Sequence, residues 1–107
     1  MNMQLRSEGF RITGPLDDYV RLRIRHALGR FQDWVEHVAV SMRDDNGPRG
    51  GVDKRVQVRI GLRGHQPVMI EERDADLYMA IGRSSMRAER QVARTVERRR
   101  TRLRWRR

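Results

Sequence analysis

The stretch from Arg83 to Arg98, RSSMRAERQVARTVER, has the clearest pattern in the chain. With about 100° of rotation per residue in an α-helix, its arginines fall within an arc of about 80°. They form a cationic stripe, which consists of Arg83, Arg87, Arg90, Arg94 and Arg98. The opposite side carries apolar residues at core-facing spacing, namely Leu77, Ile81, Ala88, Val92 and Val96. The pattern predicts a helix with one packed face and one face loaded with guanidinium groups, with a merely solvated face as the alternative.

The composition points to a polyanionic partner. The chain has 107 residues, enough for one domain, and its 24 Lys and Arg against 14 Asp and Glu give a formal net charge of +10. Such an excess is typical of proteins that bind nucleic acid, with a membrane surface as the competing polyanion. Every basic residue except Lys54 is an arginine, whose planar guanidinium donates twice to phosphate and stacks on bases.

Several classes of function are disfavoured. The chain has no cysteine, which removes disulfides, thiolate catalysis and cysteine-based zinc sites. The N-terminus lacks the apolar core of a signal peptide, and no apolar run approaches the roughly 18 residues of a membrane span. We therefore expect a cytoplasmic protein without a cofactor.

Neither a metal site nor a catalytic site is expected. No two histidines share a face at ligand spacing among His26, His37 and His65. An acidic patch precedes the second helix and consists of Glu71, Glu72, Asp74 and Asp76. Strand exposure and a helix N-terminus that favours negative charge account for this patch without general acid or base chemistry.

Hydrophobic periodicity predicts six elements. Thr13 is placed to cap a first helix with Pro15 in its first turn, and Asp74 or Asp76 to cap the second. The predicted order is a strand over 1–6, a helix that ends near 32–34, strands over 37–42, 55–62 and 67–72, and the helix of the stripe. The Gly-rich segment 44–53, DDNGPRGGVD, is predicted to be a long flexible hairpin connection.

This order predicts an α+β fold, β-α-β-β-β-α, with a four-stranded sheet and both helices packed on one face. We assign residues 1–98 to this domain and residues 99–107 to an Arg-rich C-terminal tail. We expect the tail to fray without a polyanion, because its like charges repel. Trp34 is expected in or over the core. For Trp105, stacking on an exposed base and packing against the helix end fit the sequence equally well.

The residues also resemble a known family. The opening MNMQLRSEGFRIT, Tyr19 and Val20, and ERDADLYMAI followed by Glu89, Arg90 and Gln91 are similar to the short form of the ribosome hibernation-promoting factor family. That family includes a ribosome-associated inhibitor also called protein Y, and it was once labelled sigma-54 modulation protein. The resemblance covers residues 1–98.

The resemblance implies a translation inhibitor that binds small-subunit ribosomal RNA in the channel for messenger and transfer RNA and stabilises idle ribosomes under stress. It implies the small ribosomal subunit as partner, no membrane, and a monomer away from the ribosome. Arg87, Arg90 and Arg94 match family positions that face ribosomal RNA, and Arg23 is assigned the same role. With the rest of the stripe, the first helix and the tail, the candidate RNA-binding residues are Arg23, Arg30, Arg83, Arg87, Arg90, Arg94, Arg98, Arg99, Arg100 and Arg102.

The chain departs from the family at two places, and two alternative functions stay open. Gly82 stands where members often carry Asp or Asn, and the loop over 44–53 is longer than usual. Long members append a second domain that joins ribosomes into dimers, and this chain is too short to contain one. The charge pattern also suits a generic RNA- or DNA-binding module, or a protein that modulates transcription through protein contacts. An enzyme is the least favoured interpretation.

Overall fold

The computed structural model describes residues 1–45 and 53–105 and confirms the predicted element order. The elements are β1 (Asn2–Glu8), α1 (Gly14–Leu28), a 3-10 turn (Gly29–Phe31), β2 (Val35–Asp44), β3 (Lys54–Leu62), β4 (Val68–Asp74) and α2 (Leu77–Trp105). Most of the connection predicted over 44–53 lies outside the described residues.

The four strands form one sheet in the order β1-β2-β3-β4. β1 runs parallel to β2, whereas β2, β3 and β4 pair antiparallel. A parallel pair needs a crossover connection, and α1 supplies it. The register places Leu5, Val40, Val58 and Ile70 side by side across all four strands. This row is apolar and faces the helices, so the sheet contributes a continuous apolar surface to the core.

Both helices pack on the same face of the sheet, as predicted. Val20 and Ile24 of α1 and Ile81 and Val92 of α2 are buried in one cluster with inward-facing strand residues such as Ile60. Burying a side chain of this size stabilises a protein by about 1.5 to 3 kcal/mol relative to exposure. The opposite face of the sheet carries a row of Gln4, Ala39, Arg59 and Met69 and is covered by no described element.

The helix starts use the residues that the sequence indicated. The Thr13 hydroxyl accepts a hydrogen bond from the backbone N–H of Leu16 at 3.3 Å, which caps α1. The Asp76 carboxylate accepts from the N–H of Tyr78 at 2.9 Å and caps α2. Asp74, the other predicted candidate, accepts from the N–H of Asp76 at 2.8 Å and shapes the turn just before the helix.

The helix ends differ from the predictions. α1 stops at Leu28, earlier than expected, and a 3-10 turn continues the chain to the buried Phe31. α2 is helical beyond Arg98, as far as Trp105. The guanidinium groups of Arg99 and Arg100 lie over the half-buried Trp34 ring at 5.5 and 5.9 Å from its centroid. These cation–π contacts tie the extended helix to the body of the protein.

α2 is 29 residues long. Even so, none of the helices in residues 1–45 and 53–105 combines the length and the apolar character that crossing a bilayer requires.

Candidate nucleic-acid interface

The N-terminal part of the cationic stripe is held by β4. Arg83 Nη1 lies 2.8 Å from Asp74 Oδ2, and Arg87 Nη1 lies 2.9 Å from Glu72 Oε1. Both side chains also bind backbone, because Arg83 Nη2 donates to the carbonyl of Arg73 at 2.9 Å and Arg87 Nη1 to that of Glu71 at 2.8 Å. Two of the five stripe arginines therefore have intramolecular partners for their charge.

The ion pair at the start of α2 persists at neutral pH. The pKa of the Asp74 carboxyl is lowered, first by the hydrogen bond from the Asp76 backbone N–H and then by the Arg83 guanidinium. The hydrogen bond to Asp74 raises the pKa of Arg83 in turn. Both groups stay charged, so the positive charge of Arg83 is compensated within the protein.

The rest of the stripe is free, and the helix extension adds one more arginine to it. We call this set the free row, and it consists of Arg90, Arg94, Arg98 and Arg102. All four side chains are exposed, and none has a carboxylate or hydrogen-bond partner among the residues that the structure describes. Successive members are four residues apart, a rise of about 6 Å along the helix. The exposed Glu97 borders the same surface as Arg94 and Arg98.

Two candidate residues lie where α1 meets α2. Arg23 Nη2 donates to the carbonyl of Gly82 at 3.2 Å, so this arginine links the two helices. Arg30 Nη2 lies 3.6 Å from Glu89 Oε1, and its guanidinium lies 4.4 Å from the centroid of the Phe31 ring. The ion pair between Arg30 and Glu89 is exposed, so it contributes little to stability. A polyanion can therefore replace Glu89 as the partner of Arg30 at small cost in free energy.

The ten predicted residues therefore separate into two groups. Six have contacts within the protein, and four of these, Arg23, Arg30, Arg83 and Arg87, are described above. The other two are Arg99 and Arg100, which lie over Trp34, and Arg99 also donates to the carbonyl of Arg63 at 2.6 Å. The remaining four make up the free row. The geometry brings these four into one line on one face of α2, whereas the other six make contacts within the protein.

The role of the acidic patch was missed by the sequence analysis. Glu72 and Asp74 neutralise stripe arginines, and Glu71 lies 3.5 Å from Arg55. A signal was present in the sequence, because these carboxylates come directly before the stripe helix and a short connection turns the chain back along β4. Ion pairs between these carboxylates and the first arginines of the stripe could therefore have been predicted from the sequence.

The free row suits a phosphate backbone. Lys and Arg that neutralise phosphates release condensed counterions, which supplies affinity without reading sequence. The helix presents the four arginines at regular spacing, and no carboxylate of the described residues forms an ion pair with them. Such an arrangement is electrostatically suited to a polyanion.

Fold and surface together define a basic β-α-β-β-β-α domain with a row of exposed arginines on one face of its second helix. The chain belongs to the Sigma 54 modulation protein / S30EA ribosomal protein family, whose model matches residues 3–100. This membership confirms the family resemblance of the sequence.

Two solved structures are similar to the chain. The N-terminal domain of Thermus thermophilus Protein Y is 33% identical, with a TM-score of 0.74, over 89% of this chain and 99% of that one. A ribosomal subunit interface protein from Coxiella burnetii shares the fold, with 15% identity and a TM-score of 0.77 over 91% of this chain and 99% of that one. Among curated proteins, none matches the chain.

Proposed function

We propose that this protein binds ribosomal RNA of the small subunit in the channel for messenger and transfer RNA, and that it blocks translation while it stabilises idle ribosomes. The observation that carries the proposal is the free row, four exposed arginines on one face of α2 that have no partner among residues 1–45 and 53–105. Membership in a family described as S30EA ribosomal protein supports a ribosomal polyanion over other nucleic acids. The protein then works in the cytoplasm, as a monomer until it binds.

The recognition is of charge and shape. RNA helices hide their base edges in a deep groove and display phosphates and 2′-hydroxyl groups, so a helix face that presents guanidinium groups to phosphates matches them. In this proposal the free row holds the phosphates and the folded body fills the channel, with Arg23 and Arg30 at the junction of α1 and α2 as further candidates. Arg83 and Arg87 serve mainly to fix α2 on β4, since their charges are already paired.

Co-sedimentation with purified small ribosomal subunits tests the proposal. The variant R90E/R94E/R98E should lose subunit binding. A charge-matched control is R6E/R11E/R25E, whose three arginines are exposed and have no described partner. This control should keep most of the binding, and circular dichroism should show that both variants fold.

Competition separates the proposal from its alternatives. Subunits should displace the protein from bulk duplex RNA or plasmid DNA by a wide margin, and equal competition would favour a generic nucleic-acid-binding module. A partner retained in pull-downs after nuclease treatment would favour a transcription modulator that acts through protein contacts. Equal loss of binding in the two triple variants would show that net charge, not the free row, carries the affinity.

A further inference from the structure

The last turns of α2 project beyond the body of the protein. Val96 is the last buried residue of the helix, and Arg99 and Arg100 are the last that contact Trp34. Residues 101–105 are helical and exposed, and they lie outside the 3–100 match to the family. Trp105 is 81% exposed. The structure therefore excludes the alternative that Trp105 packs against the end of the helix.

Position 105 falls within the arc of the helix that the free row covers. At about 100° per residue, Trp105 falls about 20° to one side of Arg94 and about 20° to the other side of Arg98. It follows Arg98 by about 10 Å along the helix axis, and Arg102 is three residues before it. An aromatic ring thus extends the line of phosphate-binding groups.

The two tryptophans of the chain have different environments. Trp34 is half-buried, packs against the core and has two guanidinium groups over its ring. Trp105 has no aromatic or cationic partner within the described part of the chain. A large apolar ring left in water at the end of a basic row is a combination typical of surfaces that bind unpaired nucleotides.

We propose that Trp105 stacks on an unpaired base of the RNA whose phosphates the free row holds. The inference rests on the proposed function and adds to it a preference for a loop, bulge or strand end at this position. In a duplex the bases are already stacked on one another, so an indole gains a partner only where a base is splayed out. Stacking tolerates any base, so the preference concerns RNA structure and not sequence.

The surroundings of Trp105 fit RNA better than a membrane or a second copy. Leu103 lies about 200° around the helix from Trp105, so the extension has no continuous apolar face to enter a bilayer. Glu97 is the only acidic residue in the last part of α2, against Arg90, Arg94, Arg98, Arg99, Arg100, Arg102 and Arg104. Two copies of such a surface repel each other.

Tryptophan fluorescence tests the proposal on the full chain. The variant W34F leaves Trp105 as the only tryptophan. Short oligouridine should quench its emission, and duplex RNA of equal length should quench it far less. W105A should bind oligouridine about tenfold more weakly, and W105F should retain part of the lost affinity. If W34F does not fold, the emission of Trp105 is obtained by subtracting the emission of W105F from that of the wild-type protein.

Several outcomes would overturn the proposal. The first is equal quenching of Trp105 emission by duplex and single-stranded RNA, and the second is an unchanged affinity of W105A for oligouridine. The third is a blue shift of Trp105 emission with anionic phosphatidylserine vesicles and no change of emission with RNA. Subunit co-sedimentation distinguishes this failure from failure of the proposed function. If W105A binds subunits and oligouridine like the wild type while R90E/R94E/R98E does not bind subunits, the stacking role is wrong and the ribosomal role stands.

Discussion

Arg87 Nη1 lies 2.9 Å from Glu72 Oε1 and donates at the same time to the backbone carbonyl of Glu71 at 2.8 Å. An arginine that looks in the sequence like every other member of the stripe is thus already bound by the protein. Arg94, seven residues further along the same face, has no such partner in the described residues. This difference between neighbours on one helix can be measured.

The first prediction compares R87Q with R94Q in RNA binding at increasing salt. Removing a phosphate contact lowers the slope of log affinity against log salt by about 0.7 to 0.9. R94Q should show this loss, and R87Q should keep the wild-type slope because its charge is compensated by Glu72. Filter binding between roughly 50 and 200 mM salt measures both. A larger slope change in R87Q than in R94Q would contradict the division of the stripe.

The second prediction concerns Glu72. The change E72Q removes the carboxylate that contacts both Arg83 and Arg87, so it should tighten RNA binding and reduce the stability of the fold. One exposed pair is worth up to about 1 kcal/mol, which corresponds to a gain of up to about fivefold in affinity. Fluorescence anisotropy with labelled RNA measures the change.

Glu36 provides the matched control for this variant. Its side chain is exposed and has no described partner, so E36Q changes the net charge equally without freeing an arginine. An equal gain in E36Q and E72Q would mean that overall charge is responsible and that the Glu72 contacts do not matter.

The third prediction concerns the pH dependence of stability. Because the pKa of Asp74 is lowered in the folded protein, its stabilising effect is present above the ordinary value of 3.8 and is lost as the pH falls through the folded-state pKa. D74N keeps an oxygen for the Asp76 N–H but loses the charge that attracts Arg83. It should melt below the wild type at pH 7, and the difference should shrink below about pH 4.

Thermal melts followed by circular dichroism between acidic and neutral pH measure this effect. Asp33 is exposed and unpartnered among the described residues, so D33N serves as the control and should follow the wild type throughout. A gap between D74N and the wild type that stays constant as the pH falls would argue against a role for the Asp74 charge.

The fourth prediction concerns Gly9, which follows β1 with a φ of +86°. A Cβ there would lie 2.7 Å from the backbone carbonyl oxygen of Asp44, an atom that cannot move aside without disturbing β2. G9A should therefore destabilise the protein by at least about 1 to 2 kcal/mol, the usual cost of a left-handed residue with a side chain. Gly14 has open space around it, so G14A should be nearly neutral in the same urea unfolding measurement.

Most of the fold was predictable because its signals are local. Alternation along β3 and helical spacing along α2 each result from a backbone period that the sequence alone displays. The end of α1 was not predictable, because Phe31 continues the helical spacing although the backbone tightens into a 3-10 turn at Gly29. The length of α2 was underestimated because the contacts of Arg99 and Arg100 with Trp34 join residues far apart in the chain.

The position of the candidate site could be predicted from the sequence. Which of its arginines form ion pairs within the protein could not. The angular spacing of the stripe depends on helix geometry alone, and the structure preserves it. Whether a given arginine is free depends on which strand edge lies beside it, and that is a tertiary property. Arg83 and Arg87 lie against β4, while Arg94 and Arg98 lie further along the helix, where no carboxylate of β4 reaches them.

The contacts of Arg83 and Arg87 with β4 also protect the sheet. β4 is the last strand of the sheet, so half of its carbonyl groups face away from β3 and are open to another chain. The carbonyls of Glu71 and Arg73 are occupied by guanidinium groups instead. A foreign strand that approaches this edge finds these two acceptors already occupied by side chains, which disfavours pairing between copies through β4.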